Sequence, residues 1–156
     1  MKTYNILTID EFKKNITINS RLLGIDPGKK NIGLAICDDN KAVATPFKTL
    51  IKNNFESLFK EINKIIQENE IKGIVIGNPV NMDGSLGRSA QSSMDFAKNL
   101  SKNITIPITL WDERLSSEGA FKMTKDLNNN VTTQIKNLDK NSAAFILQGA
   151  IDYLTN

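Results

Sequence analysis

RLLGIDPGKKNIGLAICD, residues 21–38, reads as two short strands joined by a tight turn. Leu22, Leu23 and Ile25 make one apolar strand, and Ile32, Leu34, Ala35 and Ile36 make a second. Between them Pro27 presets φ for a turn, and Gly28 supplies conformations that other residues resist. Asp26 therefore stands where a buried strand gives out, its carboxylate carried by rigid backbone at the mouth of a sheet. Such a position suits a cation, because the scaffold holds the ligand in place before the ion arrives. It equally suits an acid that does no more than cap a turn.

On the amino side, Thr8 to Ile16 is expected to form a short helix, with Thr8 capping it and Glu11 three residues on. Residues 1–20 are set apart as an N-terminal extension, either packed on the domain or a loose arm, and residues 21–156 as the domain itself. On the carboxyl side, Asp38-Asp39-Asn40 turns the chain into a third strand, Lys41 to Phe47, so three strands form an antiparallel meander. The period then changes. Phe55, Leu58, Phe59, Ile62, Ile65 and Ile66 recur at helical spacing as one apolar stripe within 54–70. KGIVIG, residues 72–77, is a continuous apolar run of the kind covered on both faces.

A loop from Asn78 to Gly87 leads to a helix over about 89–102, with Ala90, Met94, Ala97 and Leu100 facing inward. Ile104 to Trp111 is a further buried strand, Ser116 to Lys125 a helix, and the stretch from 126 to 138 has no period and reads as mobile. A last helix is expected over 139–154, with Ala143, Leu147, Ile151 and Leu154 on one face. Alternation of strands and helices in the second half implies parallel crossovers. The expected architecture is α/β: a mixed five-stranded sheet, an antiparallel three-strand meander extended by parallel strands, flanked by helices.

A chain of 156 residues suffices for one domain with its own core. Its net charge of +3 permits an anionic partner without demanding one. Cys37 is the single cysteine and lies in a strand pattern, which makes it a small core residue and rules out a disulfide within the chain. There is no histidine, so Ser-His-Asp and Cys-His catalysis and imidazole zinc sites are excluded. Chemistry is left to carboxylates, Lys, Ser or Thr, or a bound metal. No apolar run reaches the roughly 18 residues of a membrane span, and the first fifteen residues are too polar for a secretory signal. The expectation is a cytoplasmic protein without a membrane partner.

Acids stand at the ends of three elements: Asp26 ends the first strand, Asp112-Glu113 end the fifth, and Asp139 opens the last helix. Carboxylates that meet at one sheet edge repel unless a cation neutralises them. Mg²⁺, with its preference for oxygen ligands, suits such a site, and two ions can activate water and steady a leaving oxygen. Each acid also has a plainer role. Neighbours on a strand face opposite sides, so Asp112 and Glu113 cannot both point at one site, and one of them could simply pair with Arg114. Asp139 is a natural helix N-cap.

LLGIDPGKKNIGLA, IVIGNPVNMDGSLG, WDERLSS and LDKNSAAFILQGAIDYL together resemble, in order and spacing, the four signature segments of the YqgF family. That family comprises Holliday-junction-resolvase-like proteins, also described as nucleases for the 5′ end of pre-16S ribosomal RNA. The resemblance spans about 21–154. It implies a ribonuclease-H-like fold and a metal-dependent nuclease, a hydrolase of ester bonds, with Asp26, Glu113 and Asp139 as catalytic and metal-binding acids. Mg²⁺ is the implied ion, with Mn²⁺ as a substitute. Asn31 departs from the pattern, which usually has Arg there, and removes a bidentate phosphate donor.

Arg21, Arg88 and Arg114 are the only arginines, and all lie in or beside those segments. Arg88 and Arg114, with Lys29 and Lys30, are expected to contact the phosphate backbone, and Asn78, leaving its strand, to face the substrate. The expected activity is endonucleolytic cleavage of structured nucleic acid, with pre-ribosomal RNA favoured over branched DNA, by a monomer or homodimer. A non-catalytic nucleic-acid-binding scaffold is one rival. An actin-like ATPase or sugar kinase is another, but it needs two such domains, and no GxxxxGK[ST] loop is present.

Overall fold

The computed structural model describes residues 5–17, 19–52, 54–79, 83, 87–115 and 138–155. The expected helix at 116–125 and the aperiodic stretch after it lie outside them, as does most of the loop that follows Pro79. The strands are β1 (Ile6–Leu7), β2 (Arg21–Pro27), β3 (Asn31–Cys37), β4 (Ala44–Ile51), β5 (Ile71–Asn78) and β6 (Ile108–Asp112). The helices are α1 (Ile9–Asn15), α2 (Phe55–Glu68), α3 (Arg88–Ser101) and α4 (Leu138–Thr155).

Six strands, not five, form the sheet, in the order β1-β6-β5-β2-β3-β4. β2, β3 and β4 are the antiparallel meander, and β5, β6 and β1 extend it in parallel. The sixth strand comes from the N-terminal segment: Ile6 and Leu7 pair with Ile108 and Thr109 along the outer edge of β6. Two residues carry too little pattern to be read as a strand, and only the exposed ladder of β6 makes them one. α1 follows at once, closed by the Thr8–Glu11 capping box, and buries Phe12 completely.

Two strand boundaries differ from expectation for identifiable reasons. β4 starts at Ala44 rather than Lys41, because the Asp38 carboxylate accepts the N–H groups of Ala42 (2.8 Å) and Val43 (2.9 Å). Those donors are satisfied in the turn, and Lys41 adopts φ 55° there. β4 also continues past Phe47 to Ile51, which is held against Asn31 of β3. At β6, Ile104 to Pro107 stay out of the ladder: Asn5 Nδ2 donates to the carbonyls of Ile104 (2.6 Å) and Ile106 (3.2 Å), and Pro107 has no N–H to give.

Alternation along β2 and β5 sorts the core into two faces. Leu23, Ile25, Ile74 and Ile76 pack toward α2 and α3 with Ile62 and Leu100. Leu22, Val75 and Trp111 pack toward α1 and α4 with Phe12, Leu147 and Ile151. Cys37 belongs to the second face, buried, with its Sγ accepting from Leu22 N–H at 3.2 Å, and burial pushes its thiol pKa up. It is a core residue.

Glycine lets the helices approach on the α4 face. A Cβ at Gly24 would lie 2.7 Å from Leu147 Cβ and 3.1 Å from the Ala143 carbonyl oxygen, and one at Gly73 would lie 2.7 Å from Phe12 Cζ. α4 runs antiparallel to β2. Gln148 bonds Ala44 N–H (2.9 Å) and the Ala42 carbonyl (3.0 Å), and Ala44 pairs with Cys37 beside the start of β2. The beginning of α4 consequently lies over the carboxyl end of β2.

Candidate active site

Asp26 lies two residues beyond Gly24 and on the same face of β2. It pairs across to Gly33, and its carbonyl accepts Gly28 N–H at 3.1 Å. Gly28 serves this turn by size rather than by an unusual φ: a Cβ there would meet the Asn31 carbonyl oxygen at 2.5 Å. Two strands away, β6 ends at Asp112, paired with Asn78 of β5, and a 3-10 turn over Glu113–Leu115 begins. Trp111 belongs to the α4-side core, so Glu113 shares that face and Asp112 does not. The side chain of Glu113 folds over Gly77, where an added Cβ would come within 2.9 Å of Oε2.

Asp26 and Glu113 line one cleft of about 540 Å³ at the carboxyl edge of the sheet. Lys29, Lys52 and Arg88 supply its cationic walls, and Ser93, buried on α3, its floor. Burial raises the pKa of Glu113 to about 7, and the negative charges of Asp26 and then Asp112 push the same way. The two acids therefore sense each other's charge across the cleft.

Of the expected site residues, Asp26, Glu113, Lys29 and Arg88 meet in this cleft. Lys30 sits beside it at the β2–β3 turn, its carbonyl accepting Lys52 N–H at 2.8 Å. Asn78 ends β5 next to Asp112 and is not part of the cleft wall, although its Oδ1 is buried without a hydrogen-bond partner among the described residues. Asp139 falls in the first described turn of α4. Leu138 is already helical, so Asp139 is not the N-cap. One helical turn separates Asp139 from Ala143, as two strand residues separate Asp26 from Gly24, about 6 Å in each case. The backbones of Asp26 and Asp139 thus advance in the same direction from the Gly24 crossing. The side chains of Asp139 and Arg114 lie outside the described residues. Arg21 serves elsewhere, its Nε paired with Asp39 at 2.9 Å.

Lys52, Ser92 and Ser93 also line the cleft, and sequence reading did not find them. Lys52 follows β4 in a stretch with no motif, and only the pairing of Asn31 with Ile51 brings it to the site. Ser93 lies on the buried side of α3, where spacing alone pointed to apolar neighbours. Phe55 begins the stripe expected to face inward, yet it is 46% exposed.

Comparison with known proteins identifies the family and the fold. The family model described as "RuvX: Holliday junction resolvase" matches residues 20–153. A relative from Pelagibacter ubique named "Putative pre-16S rRNA nuclease" is 54% identical over 97% of this chain and 100% of its own. One of the same name from Ruegeria pomeroyi is 41% identical over 96% and 97%. Among solved structures, Thermus thermophilus RuvC in complex with a Holliday junction substrate superposes with TM-score 0.54 at 10% identity, covering 88% of this chain and 96% of that one. The yeast mitochondrial Holliday junction resolvase Ydc2 superposes with TM-score 0.50 at 15% identity, covering 94% and 84%. These structures share the ribonuclease-H-like fold. With its signature segments, six-stranded mixed sheet and acid-lined carboxyl edge, the chain belongs to the RuvX (YqgF) family of Holliday junction resolvase-like nucleases, hydrolases of phosphodiester bonds in nucleic acid.

Proposed function

We propose that the protein is a divalent-metal-dependent endonuclease that processes the 5′ end of pre-16S ribosomal RNA in the cytoplasm. The observation that carries this reading is the meeting of Asp26 and Glu113, from strands far apart in sequence, in one cleft walled by cations.

The donor set fits a hard cation. Both acids offer oxygen, no imidazole or thiolate competes, and a divalent ion would offset both the burial that chiefly raises the Glu113 pKa and the repulsion from Asp26 that adds to it. Among the described residues no group of three acidic, Cys or His side chains is arranged to hold a metal; Asp139, whose backbone starts α4 above β2, is the proposed third ligand. Mg²⁺ or Mn²⁺ bound by Asp26, Glu113 and Asp139 would lower the pKa of a coordinated water and stabilise the departing oxygen. Lys29 and Arg88 would grip phosphates on either side of the scissile bond, with Lys30 and Arg114 extending the contact, and Asn78, at the end of β5, would lie beside the substrate at the sheet edge. Asn31, where the family usually has Arg, leaves Lys52 as the neighbouring cation on that wall.

Incubation with labelled RNA spanning the 5′ flank of 16S rRNA, and separately with four-way DNA, tests this with and without Mg²⁺ or Mn²⁺. Metal-dependent cleavage of the RNA that disappears in Asp26→Asn is expected. Cleavage of only the DNA junction would favour the resolvase alternative that the family description supports. Binding without any cleavage would reduce the protein to a scaffold.

A further inference from the structure

The apolar stripe of α2 begins at Phe55, next to Lys52 of the cleft. Phe55 is exposed there but held from behind. Its ring centroid lies 5.6 Å from that of Phe59, and Phe59 stands edge-on to the buried ring of Phe96 at 6.4 Å. Asn54 caps the helix through Ser57 N–H (3.1 Å), which holds the residue before Phe55 as well. Lys52 joins this ring to the catalytic cleft. Its Nζ is 6.0 Å from the Phe55 centroid, its backbone is tied to Lys30, and it lines the same cleft as Asp26.

We propose that Phe55 and Lys52 form a platform for an unpaired nucleobase of the substrate, the base stacking on Phe55 and Lys52 meeting the adjacent phosphate. The inference rests on the nuclease reading of the cleft and adds that the strand entering it is single-stranded next to the scissile bond. A buttressed ring left 46% exposed, a cation lying over it and phosphate-binding side chains beyond it form the combination by which single-stranded nucleic acid is held. A base-paired duplex would offer no free base face to the ring. A purely apolar partner would have no use for Lys52, and the platform is continuous with the cleft through that one side chain.

Binding is measured in the Asp26→Asn protein, so that substrate survives, using an RNA duplex with a single-stranded flank and the same duplex blunt-ended. Phe55→Leu is expected to weaken binding of the flanked RNA roughly tenfold, Phe55→Tyr to restore it, and neither to change binding of the blunt duplex. In Phe55→Trp, flanked RNA should quench emission beyond the change seen from the native, buried Trp111 alone, a readout independent of the stability of the leucine variant. Equal affinity of Phe55→Leu and its parent for flanked RNA, or equal loss on both RNAs, overturns the platform. If Asp26→Asn abolishes cleavage while Phe55→Leu binds normally, the platform falls and the nuclease stands; a protein that binds neither RNA overturns both.

Discussion

Gly77 and the Glu113 carboxylate are in contact across the β5–β6 boundary. A methyl group on Gly77 would lie 2.9 Å from Glu113 Oε2 and 2.5 Å from Ile146 Cδ1. The missing side chain is what lets the acid lie down on the sheet beside Asp26 rather than stand out in solvent. Gly77→Ala should therefore move Glu113 and crowd α4, costing about 1–3 kcal/mol of stability. Cleavage should fall further than thermal melting accounts for. Wild-type kcat in a variant with lowered Tm would mean that the contact has no part in aiming the acid.

Glu113 also makes a prediction about pH. Its pKa is raised in the folded state, to about 7, so between the ordinary glutamate value and about 7 the native protein holds a proton that the unfolded chain releases. Stability of the metal-free protein should fall as pH rises through that window and level off above it. Glu11 and Asp38, both exposed, act with the opposite sign. Backbone N–H groups, Thr8 for the first and Val43 and Ala42 for the second, hold their pKa values below the usual range. Their contribution is lost as pH falls, below the Glu113 window. Glu113→Gln should flatten the slope and raise Tm at pH 8 without metal. Mg²⁺ should raise the wild-type Tm at that pH by linkage, and not that of Asp26→Asn. Melting curves across pH, with EDTA or Mg²⁺, check both statements.

Arg88 stands on the first turn of α3 at the cleft wall. Its planar fork can grip two phosphate oxygens, which lysine cannot. Arg88→Lys is expected to weaken RNA binding about tenfold, ~1.4 kcal/mol, while leaving Tm in place. Equal affinity by fluorescence anisotropy would remove Arg88 from the substrate contacts.

Phe12 tests whether the N-terminal segment is part of the folding unit. Its ring occupies the space over Gly73 and Leu22, and Tyr153 of α4 donates to Asp10 of α1 at 2.8 Å. Phe12→Ala should cost about 3–5 kcal/mol. In urea the transition should remain single, with its midpoint lowered. An unchanged midpoint would make residues 1–20 a separable extension.

What is local in this chain was legible in its sequence. The Thr8–Glu11 capping box, the β2–β3 hairpin, the stripe of α2 and the both-faces-buried β5 follow from spacing and turn chemistry acting within a few residues. The matching segments around Asp26 and Glu113 named the acids for the same reason: each closes an element whose own residues define it. Tertiary structure decided everything that depends on which strand edges were left to be filled. Ile6 and Leu7 are a strand because β6 had an open ladder, and Ile104 to Pro107 are outside one because Asn5 took the Ile104 and Ile106 carbonyls and Pro107 has no N–H. Lys52 reaches the cleft through the β3–β4 register, and Phe55 is left exposed although the spacing of its stripe pointed inward. Hydrogen-bond partners and burial are properties of pairs distant along the chain, and no single segment carries them.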